Sequence, residues 1–205
     1  MRATALFRIA ASLLTASWLS CGHASALVLN FDTLADLEAV TQQYAGAGVS
    51  FQNATALTAG FSLNEGEFPP RSGQNVLFDD GGGMTIMFSP GVFDVGGYFT
   101  YVVPLTLHAY DGGGALLGSL ASAFQSNLAV SGDPGSSPNE FLELATTRQI
   151  ARLTISGDPG GSSFVLDDLT ISRALPEPSS LALIALGMFG LLVRRRVARP
   201  LIAAN

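Results

Sequence analysis

Between residues 75 and 171 the chain repeats one pattern: a short run of β-branched, aromatic and leucine residues, then a turn built from Gly, Asp, Asn or Pro. Asp80-Gly81-Gly82-Gly83 and Asp111-Gly112-Gly113-Gly114 read as tight connections in which glycine supplies positive φ. The strand-like runs are 75–78, 84–88, 92–103, 105–110, 115–120, 141–144, 150–155 and 164–171, with two more, 27–32 and 49–51, ahead of them. No βαβ alternation is present, so the pattern predicts an all-β fold, an antiparallel β-sandwich of jelly-roll-like type. Alternation within one run agrees: Leu105, Leu107 and Ala109 face one way, Thr106, His108 and Tyr110 the other.

Two segments depart from this rhythm. Residues 33–44 (TLADLEAVTQQY) read as one short helix or helical turn, with Thr33 as N-cap and Asp36 and Glu38 near its positive end. Residues 63–74, containing Pro69-Pro70, lack periodicity and read as a long surface loop.

The last run, Phe164-Val165-Leu166-Asp167-Asp168-Leu169-Thr170-Ile171, breaks its own alternation. Phe164 and Leu166 lie on one face of a regular strand and Leu169 and Ile171 on the other, so a bulge at Asp167-Asp168 is needed to restore one apolar face. Without a bulge, Asp167 shares a face with Val165, Leu169 and Ile171; either way a carboxylate sits close to the core, where it needs backbone N–H donors, an arginine or a cation. If the opening and closing strands lie side by side, Asp32 joins the pair. Asp32, Asp167 and Asp168 are therefore the candidate ligands of a structural Ca²⁺ site, hard oxygen donors being suited to that ion. The alternative is that these aspartates cap turns or pair with Arg152 or Arg173. No cofactor is required by any motif. Asp79-Asp80 reads as a turn. His108 reads as a surface or groove residue, and Tyr98, Tyr101 and Tyr110 are candidate sugar-stacking rings, although Tyr98 and Tyr101 have opposite parity on a regular strand.

Charge narrows the function classes. Residues 27–175 hold four arginines (Arg71, Arg148, Arg152, Arg173), no lysine and fifteen acids, a net of about −11. Phosphate contact needs cationic side chains, so nucleic-acid binding is not expected. Cys21 is the single cysteine and precedes the predicted cleavage site, so the predicted mature chain has no disulfide, thiol nucleophile or cysteine-based zinc site. No Gly-x-Ser-x-Gly elbow is present.

Both ends read as targeting segments. Arg2 and Arg8 form a basic n-region, residues 9–19 an apolar h-region, and Ala24-Ser25-Ala26 a small-x-small site, predicting signal-peptidase cleavage after Ala26. Near the C-terminus, Pro176-Glu177-Pro178-Ser179-Ser180 precedes an uncharged run, 181–193, and then Arg194-Arg195-Arg196. Counted from Ser179, the run gives a helix of about 22 Å, short of the roughly 30 Å hydrocarbon layer, and the arginines lengthen it by reaching to the phospholipid surface. They also place the preceding chain outside by the positive-inside rule. The organisation predicted is a signal peptide (1–26), a β-sandwich ectodomain (27–175) and a sorting and anchor tail (176–205).

This tail resembles the PEP-CTERM sorting signal of Gram-negative bacteria, on the strength of Pro176, Glu177, Pro178, the apolar helix and the arginine cluster in that order. The resemblance implies that an exosortase, an integral-membrane cysteine peptidase-like enzyme, recognises the motif and releases the protein from a temporary anchor. It also implies association with exopolysaccharide and biofilm or floc material. The chain departs from the usual pattern by running nine residues past Arg196. The cargo outline is similar to that of many such proteins, with an opening Phe31-Asp32, a Gly48-Val49-x-Phe51 strand and a closing Asp167-Asp168-Leu169, and it resembles carbohydrate-binding jelly rolls. The expectation is a protein exported across the inner membrane, transiently anchored, then delivered to the cell surface or extracellular matrix. There it serves as a non-catalytic, polysaccharide-associated domain, the alternative being a small carbohydrate-active hydrolase or lyase acting on exopolysaccharide.

Overall fold

The computed structural model describes residues 26–173. Nine strands follow one another: β1 (Leu27–Leu29), β2 (Val49–Gln52), β3 (Ala54–Thr58), β4 (Asn75–Asp79), β5 (Met84–Tyr101), β6 (Thr106–Tyr110), β7 (Leu116–Ala121), β8 (Glu140–Ser156) and β9 (Phe164–Ser172). Every strand pairing is antiparallel, in the order β3-β4-β9-β5-β8-β6-β7, with β1 on β9 and β2 on β5. The all-β antiparallel architecture expected from the turn rhythm is the one observed.

Its two layers belong to one sheet. β5 and β8 are each long enough to run through both halves, and each bulges where it turns. Between the pairs Met87↔Arg152 and Val92↔Ile150 β5 carries the extra residues, and between Val92↔Ile150 and Asp94↔Ala145 β8 does. The bulges re-aim the buried side chains, so Met84, Ile86 and Phe88 from one half of β5 and Val95, Phe99 and Tyr101 from the other enter a single core. The runs 84–88 and 92–103, and likewise 141–144 and 150–155, read as separate strands in sequence because bulge residues carry the same turn chemistry as true connections.

The predicted helix at 33–44 is not formed. Among the described residues the only helical segment is a 3-10 turn, Ala45–Ala47. The competing structure is an edge cover: the N–H groups of Leu37 and Val40 donate to the carbonyls of Ala56 and Ala54, both at 2.8 Å, and the Ala56 N–H returns a bond to Glu38. Leu37 takes φ 59, which a helix does not allow. The segment thus satisfies the open edge of β3, a use that outweighs local helix propensity. β3 itself was not expected; Asn53, at φ 56, is the only residue separating it from β2.

The loop before β4 is better anchored than its polarity suggests. Leu63 is buried with Val76 and Val165, and Phe68 packs against them, on the side of β4 and β9 away from the main core. This lays the segment 63–74 across the outer face of β9 and delivers residues 71–75 to the middle of the sheet.

Candidate functional site

Of the two arrangements open for Asp167-Asp168, the bulged one is present. From Gly96↔Thr170 to Tyr98↔Asp167 β9 advances one residue more than β5, and Asp168 takes φ 47. Phe164, Leu166, Leu169 and Ile171 all reach the core as a result. Asp167, on the opposite face, is 1% exposed. Its Oδ2 accepts the N–H groups of Arg71 at 2.8 Å and Ser72 at 2.9 Å, and its Oδ1 that of Asp168 at 2.7 Å. Burial pushes its carboxyl up to about 6, against the pull of those donors. Ser72 also donates its hydroxyl to Asp168 at 2.8 Å.

Asp32 grips the same segment from its other end. Leu29 pairs with Leu169, placing β1 beside β9 as the strand order required, and the Asp32 Oδ1 accepts the N–H groups of Gln74 at 2.8 Å and Asn75 at 3.2 Å. A Cβ built on Gly73, at φ 54, would fall on the Asp32 carboxylate, so no larger residue fits between the two grips. The three aspartates proposed as calcium ligands are therefore brought to one five-residue segment, and Asp32 and Asp167 both hold its amides. Among the described residues no group of three or more His, Cys, Asp or Glu is placed to hold a metal ion. Of the arginines named as alternative partners, Arg173 donates to the Ala47 carbonyl at 2.6 Å, and Arg152 lies against Tyr110.

This lacing positions a surface. With Arg71 fixed by its backbone, its guanidinium carbon lies 4.6 Å from the centroid of the Tyr98 ring. Tyr98 faces outward because Phe99, next to it, is buried. Its cross-strand partner is Phe141, 44% exposed, with ring centroids 5.0 Å apart and planes tilted by 49°. Gly96 makes room for that ring, since a Cβ there would stand 2.9 Å from Phe141 Cζ. Along the same face Asp94 lies near Glu143, and burial, then the neighbouring negative charge and a hydrogen bond to Glu143, push the Asp94 carboxyl up to about 6. The face thus presents two aromatic rings, one guanidinium and the carboxyls of Asp94 and Glu143. Aromatic faces stack on the C–H surface of sugar rings, and carboxyl and guanidinium groups bond hydroxyls.

Tyr101 does not belong to this surface. It is fully buried, its hydroxyl donates to Glu140, and burial pushes that hydroxyl up to about 12. His108 and Tyr110 are half-buried on another part of the sheet, with His108 Nδ1 2.8 Å from the Ser119 hydroxyl. Asp79, expected in a turn, ends β4 fully buried and accepts the N–H groups of Ser163 and Phe164 at 2.8 and 2.9 Å. A cavity of about 200 Å³ lined by Gln42, Ala45, Gly48, Val49, Ser50, Met87 and Ser89 contains no titratable side chain. Phe141 and Glu143 were legible as outward residues from the alternation in Phe141-Leu142-Glu143-Leu144; their partners across β5 depend on register, which no local pattern carries.

The signal-peptide site at Ala24, the sorting residues Pro176, Glu177 and Pro178, and Arg194, Arg195 and Arg196 lie outside the described residues. Among those described, no helix is long and apolar enough to cross a membrane. At the tail, however, a family model for the PEP-CTERM protein-sorting motif matches residues 174–196. The chain carries this sorting motif, which implies export, C-terminal anchoring and exosortase processing.

No curated protein matches the chain. Solved structures of similar outline include a DUF4465 family protein from Bacteroides caccae, 10% identical over 73% of this chain and 100% of that one, with a TM-score of 0.47. The K2 cleaved adhesin domain of Lys-gingipain is 11% identical over 72% of this chain and 99% of that one, with a TM-score of 0.43. A family 29 carbohydrate-binding module from Piromyces equi is 11% identical over 74% of this chain and 92% of that one, with a TM-score of 0.41.

Proposed function

We propose that this is an exported protein whose β domain associates without catalysis with extracellular polysaccharide, after release from a temporary anchor in the inner membrane. The single observation that carries the binding half is the Tyr98–Phe141 pair, two adjacent rings on an outward sheet face with Arg71 beside them and Asp94 and Glu143 on the same face. An open face of this kind suits a polymer, which passes across it and is bound by a few rings at a time. The sorting motif at 174–196 supports export and processing; on this reading signal peptidase removes the leader and an exosortase the tail, leaving the domain at the cell surface or in the matrix.

A non-catalytic role is supported by the carboxyl pair. Glycoside hydrolysis uses two carboxyls about 5–9.5 Å apart, so that the sugar lies between them. Asp94 and Glu143 instead lie close enough that Glu143 helps push the Asp94 carboxyl up. The test is equilibrium binding of the exported protein to the polysaccharide of its own host, comparing wild type with Tyr98→Ala and Phe141→Ala, while reducing ends are counted in the same samples.

A further inference from the structure

The guanidinium of Arg152 has neither an acidic nor a carbonyl partner among the described residues, a property it shares with that of Arg71, which lies over Tyr98. Arg148 pairs with Asp111, Arg173 bonds Ala47, and Arg71 is tied through its backbone to Asp167. Arg152 instead lies over Tyr110, its guanidinium carbon 4.3 Å from the ring centroid, and its Nε is buried with no hydrogen-bond partner. A buried N–H without an acceptor costs about 1–3 kcal/mol, and buried polar groups are rarely left in that state. Among the described residues Arg152 is in no ion pair.

Strand register sets the surroundings. Leu153 and Ile155 point into the core, so Arg152 and Thr154 point out. Arg152 stands between Met87 of β5, 40% exposed, and Tyr110 of β6; in the next row Thr154 stands between Thr85 and His108. An arginine without an acceptor is thereby flanked by two apolar surfaces and bordered by hydroxyls and an imidazole.

We infer that this strip is a subsite for a carboxylated sugar, a uronate unit within an acidic polysaccharide. The planar guanidinium matches a carboxylate by two parallel N–H bonds, while Tyr110 and Met87 offer contact to the sugar ring and Thr154 and His108 face its hydroxyls. The domain's net charge of about −11 repels polyanions in general, so retention of one reports a specific contact and not ion exchange. The inference rests on the reading of the domain as polysaccharide-associated, and it uses a face separate from Tyr98 and Phe141.

The test uses the exported, processed protein and calorimetric titration with polygalacturonate, its methyl-esterified form, and a neutral polysaccharide. Arg152→Gln is expected to weaken polygalacturonate binding about tenfold or more, the equivalent of one charge-assisted hydrogen bond. Esterification of the polymer is expected to do the same to wild type. Matching melting temperatures for wild type and Arg152→Gln establish that the fold is intact; if that variant melts early, Arg152→Lys replaces it, retaining charge but losing the planar fork and most of the affinity. Equal affinity of Arg152→Gln and wild type, or of esterified and free polymer, overturns the inference. Binding of neutral polymer through Tyr98 with none of polygalacturonate overturns it while leaving the polysaccharide reading standing. Binding of no polymer overturns both.

Discussion

Tyr98 and Asp167 face each other across β5 and β9, and Arg71 is bound to both: its backbone N–H to the Asp167 carboxylate at 2.8 Å, its guanidinium over the Tyr98 ring at 4.6 Å. A buried acid and a surface aromatic are thus linked through one loop residue. The carboxylate orders the loop, and the loop covers one side of the ring that the binding face uses.

Replacing Asp167 removes the acceptor for three N–H groups. Asp167→Ala is expected to lower the unfolding free energy by about 2–3 kcal/mol in urea titration. It should also release Arg71 from Tyr98, visible as increased amide exchange at residues 71–72 relative to the strands. Unchanged exchange there would show that the loop is held by other contacts.

Gly73 is constrained by both conformation and space. Gly73→Ala must place a methyl group on the Asp32 carboxylate at positive φ, with an expected loss of about 1–3 kcal/mol. Gly81→Ala, also at positive φ but with open space around it, isolates the conformational part and should cost less.

Stability should rise from pH 7 toward pH 5. Asp167 and Asp94 are both pushed up to about 6 in the folded state, against about 4 for an unfolded aspartate. The folded protein therefore binds protons more tightly between those values, and the stabilisation, complete below about pH 4, is lost as pH rises through about 6. In the opposite sense, Asp36, Glu38, Glu67 and Asp111 are held below the usual carboxylate range, chiefly by bonds from Ser62, Ala35, Val130 and Ala115 respectively. Their contribution is present above about pH 4 and is lost as pH falls through their folded values. Melting temperatures from pH 3 to 8 should pass through a maximum near pH 5, and Asp94→Asn should flatten the alkaline side of it.

Processing is addressed by the tail alone. Replacing Glu177 or Pro178 with alanine should leave the full-length chain in the membrane fraction of a host that has an exosortase, where wild type is shortened and released. Equal release of wild type and variant would remove the motif at 174–196 from the account of processing.

How much of this was legible in the chain follows from which interactions are local. Alternation and turn chemistry are local, so strand positions and the Asp167 bulge could be read from residues 164–171. The need of that carboxylate for donors was equally clear, but not their identity, because Arg71 and Ser72 lie nearly a hundred residues away in sequence. The helix expected at 33–44 failed for the same reason: its N–H groups bond β3, a partner that no pattern within the segment announces. Phe141 is outward by parity, yet its contact with Tyr98 exists only through the pairing of β5 with β8.

The most direct measurement is equilibrium binding of the exported protein to its host's polysaccharide, with reducing ends assayed in the same samples. Saturable binding that Tyr98→Ala and Phe141→Ala weaken at least about tenfold each, with melting temperatures near wild type and no new reducing ends, is the predicted result. Binding that is indifferent to both substitutions, or polymer cleavage that accompanies it, would contradict the account.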